Sequence, residues 1–153
     1  MPVGAYHFFT ADEDGVEQAN NFLEALNKAG ADISELPAVL DLEEVPRTTR
    51  IPVDNFTFVK RIHAWLDAVE AATKKKPIIY TTRNFWDSHG SADLADYLLW
   101  VPRYSSSPPT EAQLPRGWKR WAIWQLADEA QFGGFGTLDG DILDSEVVAF
   151  QAP

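Results

Sequence analysis

The run Ala38-Val39-Leu40-Asp41-Leu42-Glu43-Glu44-Val45-Pro46 sets two carboxylates where they could share one reaction. Side chains of an extended strand alternate between faces, so Leu40 and Leu42 point one way. Val39, Asp41 and Glu43 point the other way, with the two acids roughly 6.6–6.8 Å apart at Cα. Crowded carboxylates do not both ionise cheaply, so one holds a proton near neutral pH while the other is charged. A general acid beside an ionised carboxylate is the equipment of glycoside hydrolysis. The competing reading makes Asp41 and Glu43 solvated strand-end acids paired with arginine. A bare Asp-x-Glu is common; the setting between apolar residues that face the opposite way is what favours chemistry.

Aromatic residues point to the same ligand class. Trp100, Trp118, Trp121 and Trp124 crowd together, with Tyr80 and Tyr104 close in sequence. Flat rings with a polar edge suit sugar faces, although any one tryptophan is more often a packing residue. Asp139-Gly140-Asp141 with Asp144 forms another acid cluster, but it lacks the full ligand set and closing Glu of a calcium loop. His7, His63 and His89 are scattered without zinc-ligand spacing, and His63 reads as a packing residue of a helix. Gly133-Gly134-Phe135-Gly136 lacks the Lys-Ser/Thr of a phosphate-binding loop. No cofactor or metal is expected.

The elements that must position these groups alternate. Val3–Phe9 reads as a buried strand. Asp14 caps a helix with Val16, Ala19, Phe22, Leu23 and Leu26 at helical spacing, stopped by Gly30. Pro37–Val45 is the next strand, and 47–53 a loop. Asp54 caps a long helix with Phe56, Val59, Ile62, Leu66 and Val69 on one stripe, and Lys74–Lys76 suit the dipole at its end. Pro77–Thr81 is a strand, Asn84–His89 a short helix, Tyr97–Val101 a strand and Ala122–Leu126 another, with a loop at 105–109. The remainder reads as irregular, with a short extended piece near Leu138. Strands alternating with helices imply parallel strands and crossover helices, an α/β fold. The end of a parallel strand, where Asp41 and Glu43 lie, is where such folds place active sites.

Charge and composition exclude several classes. With 23 acidic against 13 basic residues, the net charge is −10. Nucleic acid is not an expected partner, because phosphate binding needs a basic stripe. Cysteine is absent, so there is no thiolate or disulfide chemistry. No apolar run approaches the ~18 residues of a membrane span, and no signal peptide is visible at Met1–Ala5. The 153 residues suit one domain, 1–153, yet fall short of the roughly 200 of a complete eightfold barrel.

Six segments, in order, resemble glycoside hydrolase family 25, the Chalaropsis-type lysozymes. They are Gly4-Ala5-Tyr6-His7-Phe8, Leu40-Asp41-Leu42-Glu43, Lys76-Pro77-Ile78-Ile79-Tyr80-Thr81, Leu99-Trp100-Val101-Pro102-Arg103-Tyr104, Ile123-Trp124-Gln125 and Gly136-Thr137-Leu138-Asp139-Gly140-Asp141. The resemblance implies a modified (β/α) TIM-like barrel. It also implies a muramidase that cleaves the β-1,4 bond between N-acetylmuramic acid and N-acetylglucosamine in peptidoglycan. On it, Glu43 protonates the leaving oxygen and Asp41 orients or stabilises the charged intermediate, in a retaining route assisted by the substrate's N-acetyl group. Asp139 matches a late aspartate of the family's last strand, and Asp141 stands where Asn is common. Tyr6 and Tyr80 match aromatics of the sugar groove; Trp100, Tyr104 and Gln125 are further substrate-binding candidates. Pro102 stands where the family has a small residue.

The match starts at the family's third strand, so the opening Asp-x-Ser strand and the strand after it are expected to be missing: an N-terminally truncated barrel. Two functions follow from that. One is an active muramidase, secreted or phage-released onto the wall, which either replaces the missing strands by self-association through the first strand or tolerates an open barrel. The other is a non-catalytic descendant that binds wall glycan or a partner.

Overall fold

The computed structural model describes residues 4–30, 36–44, 53–132 and 136–146. Among these residues six strands and three α-helices follow one another, alternating as far as β4: β1 (Tyr6–Phe8), α1 (Gly15–Ala29), β2 (Val39–Leu42), α2 (Asn55–Thr73), β3 (Ile78–Thr81), α3 (Arg83–His89), β4 (Leu98–Pro102), β5 (Ile123–Phe132) and β6 (Gly136–Leu143). Short 3-10 turns at Ala92–Asp96 and Glu111–Gln113 join β4 to its neighbours. The strands form one sheet in sequence order, parallel from β1 to β5. It is a curled half-barrel, and among the described residues its edges, β1 and β6, do not pair with each other.

Helix boundaries follow local chemistry. The Asp14 carboxylate accepts from the amides of Val16 and Glu17 at 2.9 and 3.1 Å, and α1 stops where Gly30 turns left-handed at φ 61°. Asp54 accepts from Thr57 N at 2.9 Å to start α2. That helix ends on Lys74, a non-glycine residue at φ 60°, whose ammonium donates to Ala71 O at 2.7 Å. A cation satisfying a last-turn carbonyl explains why lysine is tolerated there.

Three expectations about the elements need correction. β1 is not a buried strand: none of its three residues is buried, and Tyr6 is exposed. Phe56 is 80% exposed, and α2 instead buries Phe58, Ile62, Trp65, Leu66 and Val69. At 100° per residue, Phe56 lies about 120° from Ile62 around the helix, whereas Phe58 lies within about 40° of it. The short extended piece expected near Leu138 is an eight-residue strand, β6, antiparallel to β5, which itself runs on to Phe132; residues 133–135 and 147–153 lie outside the described residues. Only Gly140 of β6 is buried, so no apolar alternation announces the strand. The ends of the expected strands at Val3 and Val45, and loop residues 47–52, lie outside the described residues.

The sheet has two apolar faces. On the helix side, Leu40, Leu42, Ile79, Leu99 and Val101 pack with Phe22, Ile62, Trp65, Leu66, Phe85 and Trp86. On the opposite side Val39, Ile78, Ala122 and Ile123 form a smaller cluster, flanked by Tyr80, Leu98 and Trp100. The second cluster is the floor beneath the acidic residues.

Candidate active site

Register assembles the site. Asp41 of β2 lies beside Tyr80 of β3, and Tyr80 beside Trp100 of β4. Parallel neighbours in register share a face, so this row projects from the side opposite the helices, as Leu40 and Leu42 bury themselves among them. Glu43 continues the Asp41 face just past the end of β2. On β5, Gln125 lies beside Pro102 on one side and Asp141 on the other. The ladder slips between Gln125 and Ala127 and again between Ala127 and Ala130. Such bulges re-aim side chains, and Asp139 reaches the same cleft from β6.

The resulting cavity holds about 220 Å³ and is lined by Asp41, Glu43 and Asp139 with Tyr6, Tyr80, Trp100 and Gln125 around them and Val39 beneath. That is below the ~300–1,000 Å³ of pockets that enclose a drug-sized ligand, as suits a groove that grips part of a longer chain. The structure thus brings together seven of the eight expected site residues. Tyr104, the eighth, stands at the rim, 59% exposed, where the charges of Asp128, Asp139, Glu43 and Asp141 act on its phenol. Val39, read from the sequence as sharing the face of Asp41 and Glu43 but not as a site residue, lines the cleft as well.

The electrostatics are those of crowded, partly dry acids. Burial, with the charge of Glu43 added, pushes Asp41 up to about 7. Burial also raises Glu43. Oδ1 of Asp41 is buried and makes no hydrogen bond to a described residue. Asp141 is raised by burial, opposed by the indole of Trp100, whose Nε1 donates to Asp141 Oδ1 at 2.8 Å; nearby Asp139 raises it further. Burial and the surrounding acids raise the Tyr80 phenol, whose hydroxyl donates to Gln125 Oε1 at 2.9 Å. The Tyr80 and Trp100 rings meet edge to face at 5.5 Å.

Two supports escaped sequence reasoning. Thr81 is fully buried and its hydroxyl donates to Leu42 O at 2.8 Å, pinning the peptide that precedes Glu43. Gln18, also buried, accepts from Thr10 N and donates to Thr10 O, and its Oε1 lies 3.1 Å from His7 Nε2, fastening the turn after β1. Neither residue type signals such a role without its partners.

The other tryptophans are structural. Trp118 packs on Trp86 with ring centroids 4.8 Å apart and donates to Tyr97 O at 2.8 Å. Trp124 is buried and donates to Arg103 O at 2.8 Å, with Trp121 beside it. Of the crowded four, only Trp100 lines the cleft. His63 is not a packing residue: its Nε2 lies 2.9 Å from Asp93 on the partly exposed face of α2. Among the described residues no group of three or more His, Cys, Asp or Glu could hold a metal ion.

Residues 1–135 match the family model for glycosyl hydrolases family 25. The chain belongs to glycosyl hydrolases family 25. It is 30% identical over 148 residues to the N,O-diacetylmuramidase of Chalaropsis sp, covering 93% of this chain and 69% of that enzyme. It is 32% identical over 150 residues to protein YegX of Escherichia coli K12, covering 97% of this chain and 50% of that one. The chain therefore spans about half the length of this curated relative. A family GH25 lysozyme from Aspergillus fumigatus superposes with a TM-score of 0.77 at 31% identity, over 92% of this chain and 67% of that one. Family 25 membership accounts for the half-barrel sheet. Among the described residues no helix is long and apolar enough to cross a membrane.

Proposed function

We propose that this family 25 chain is a muramidase, cleaving the β-1,4 bond between N-acetylmuramic acid and N-acetylglucosamine in bacterial cell-wall peptidoglycan. The observation that carries the reading is Asp41: a buried carboxylate oxygen without a hydrogen-bond partner, beside Glu43 on one strand face of an aromatic-lined cleft.

The acetamido N–H of the sugar donates to Asp41, which favours its ionised form and leaves the shared proton to Glu43. Glu43 transfers that proton to the glycosidic oxygen as the C1–O bond breaks, and the electron pair leaves with the oxygen. The acetamido carbonyl oxygen bonds to C1, and the ionised Asp41 stabilises the positive charge that results. Water then attacks C1 as the bond from C1 to the acetamido oxygen breaks and its electron pair returns to the acetamido group. The water gives its proton to Glu43, restoring the starting state with retained configuration. Asp139 adds negative potential across the cleft. Tyr6, 68% exposed, together with Tyr80, Trp100 and the rim residue Tyr104, offers ring faces and hydroxyls to neighbouring sugars.

Clearing of a suspension of purified peptidoglycan tests the reading. The unaltered protein should clear it, and Glu43→Gln should do so at least about 100-fold more slowly, the scale of losing a general acid. Equal rates for the two proteins overturn the assignment. Co-sedimentation with walls that are never cleared would identify a glycan-binding protein instead.

A further inference from the structure

The Tyr80 hydroxyl has one proton and several claimants for it. Among the described residues the titratable and charged groups acting on it are Asp41 from β2, Glu43 just past it, Tyr104 beyond β4 and Asp139 from β6, with no Lys, Arg or His among them. In such company a phenol would ordinarily donate to a carboxylate. Here it donates away from them, to the carboxamide oxygen of Gln125 on β5, at 2.9 Å. Gln125 is itself buried at 5% exposure, held between Pro102 and Asp141 by the ladders on both sides. The edge-to-face contact of Trp100 fixes the ring of Tyr80, and the bond from Trp100 Nε1 to Asp141 fixes that indole in turn.

We propose that Gln125 is a positioning residue: by accepting the single proton of the Tyr80 hydroxyl, it makes that hydroxyl an acceptor toward the cleft instead of a donor to Asp41 and Glu43. A phenol donating to a carboxylate favours its ionised form. Diverting that proton to a neutral amide oxygen therefore preserves the protonated carboxyl that the chemistry needs. With its proton given to Gln125, the hydroxyl of Tyr80, which lines the cleft, keeps acceptor capacity for an O–H or N–H of the sugar. A glutamine serves where a glutamate would not, because a further carboxylate beside Asp41, Glu43 and Asp139 would compete for the same proton. The value of the device rests on the reading of Asp41 and Glu43 as the reacting pair, but its existence does not.

Titration of the Asp41 and Glu43 side-chain carboxyls by carbon NMR in the resting protein decides it without any need for activity. Gln125→Met removes the acceptor at similar volume, and should lower the midpoint of at least one of the two by about half a pH unit or more as Tyr80 turns to a carboxylate. The same change in a Tyr80→Phe background should produce no such shift. Tyr80→Phe alone should leave both midpoints unchanged or lower, since its proton was not shared with them. The proposal is overturned if Gln125→Met shifts nothing, if its shift persists without the hydroxyl, or if Tyr80→Phe raises either midpoint. Should Gln125→Met fail to fold, the Tyr80→Phe titration is decisive alone. Failure of the protein to clear peptidoglycan would sink the muramidase reading while leaving these titrations interpretable.

Discussion

Asp41 sits deeper than Glu43 and feels its neighbour's charge, so the resting cleft holds a proton where a free aspartate would hold none. Its ordinary value of 3.8 rises to about 7. Between those two values the folded chain binds a proton that the unfolded chain has released, so this group makes stability fall as pH rises through that window. Asp41→Asn should therefore raise the melting temperature at pH values above about 7 and lose that advantage toward about pH 4, as thermal melts at both ends would show. Catalysis shares the preference for the protonated side. Clearing of peptidoglycan should decline as pH climbs beyond about 7, where the pair loses its last proton, and a pH-rate profile reads this directly. The identity of the pair was legible in Asp41-Leu42-Glu43, since strand alternation alone puts both acids on one face. Which of them lies deeper was not, because burial comes from Tyr80, Trp100 and β6, distant in sequence.

Elements place these residues by a few close contacts. A Cβ added at Gly15 would stand 2.0 Å from the backbone oxygen of Arg61, so α1 approaches α2 there as only glycine permits. Arg61 in turn donates to Ala11 O at 2.7 Å, tying α2 to the turn after β1. Gly15→Ala should cost about 1–3 kcal/mol by forcing the two helices apart, measurable by urea unfolding. The caps Asp14 and Asp54 were readable because capping is local chemistry. Gly15 resembled an ordinary first-turn residue until the second helix was in place. β6 escaped for a related reason: its partner β5 and its bulges, not its own pattern, make it a strand.

At the scale of the molecule, the sheet separates two environments. The helix side is dry and holds Trp65 at full burial, stacked on His7 at 5.6 Å and close to Phe22. Trp65→Ala should cost about 3–5 kcal/mol in unfolding free energy, the usual scale for emptying such a site. Glu43→Gln, on the other side, should not lower unfolding free energy, since it removes a charge that burial disfavours, and the contrast separates framework from chemistry. The open side carries the acids over an apolar floor, with both sheet edges unpaired among the described residues. Family 25 segments could be recognised from Gly4 to Asp141 because each carries its residues as a short contiguous motif, even where, as in β6, no alternation announces a strand. The same local rules determined the parallel order of β1 to β5, the helix caps and the shared face of Asp41 and Glu43. Only the tertiary structure decided that Trp118 and Trp124 pack while Trp100 faces the groove, that Asp139 arrives on an antiparallel strand, and that Tyr80 gives its proton to Gln125. Those outcomes depend on which side of a neighbouring strand is dry, and no stretch of sequence carries that information alone.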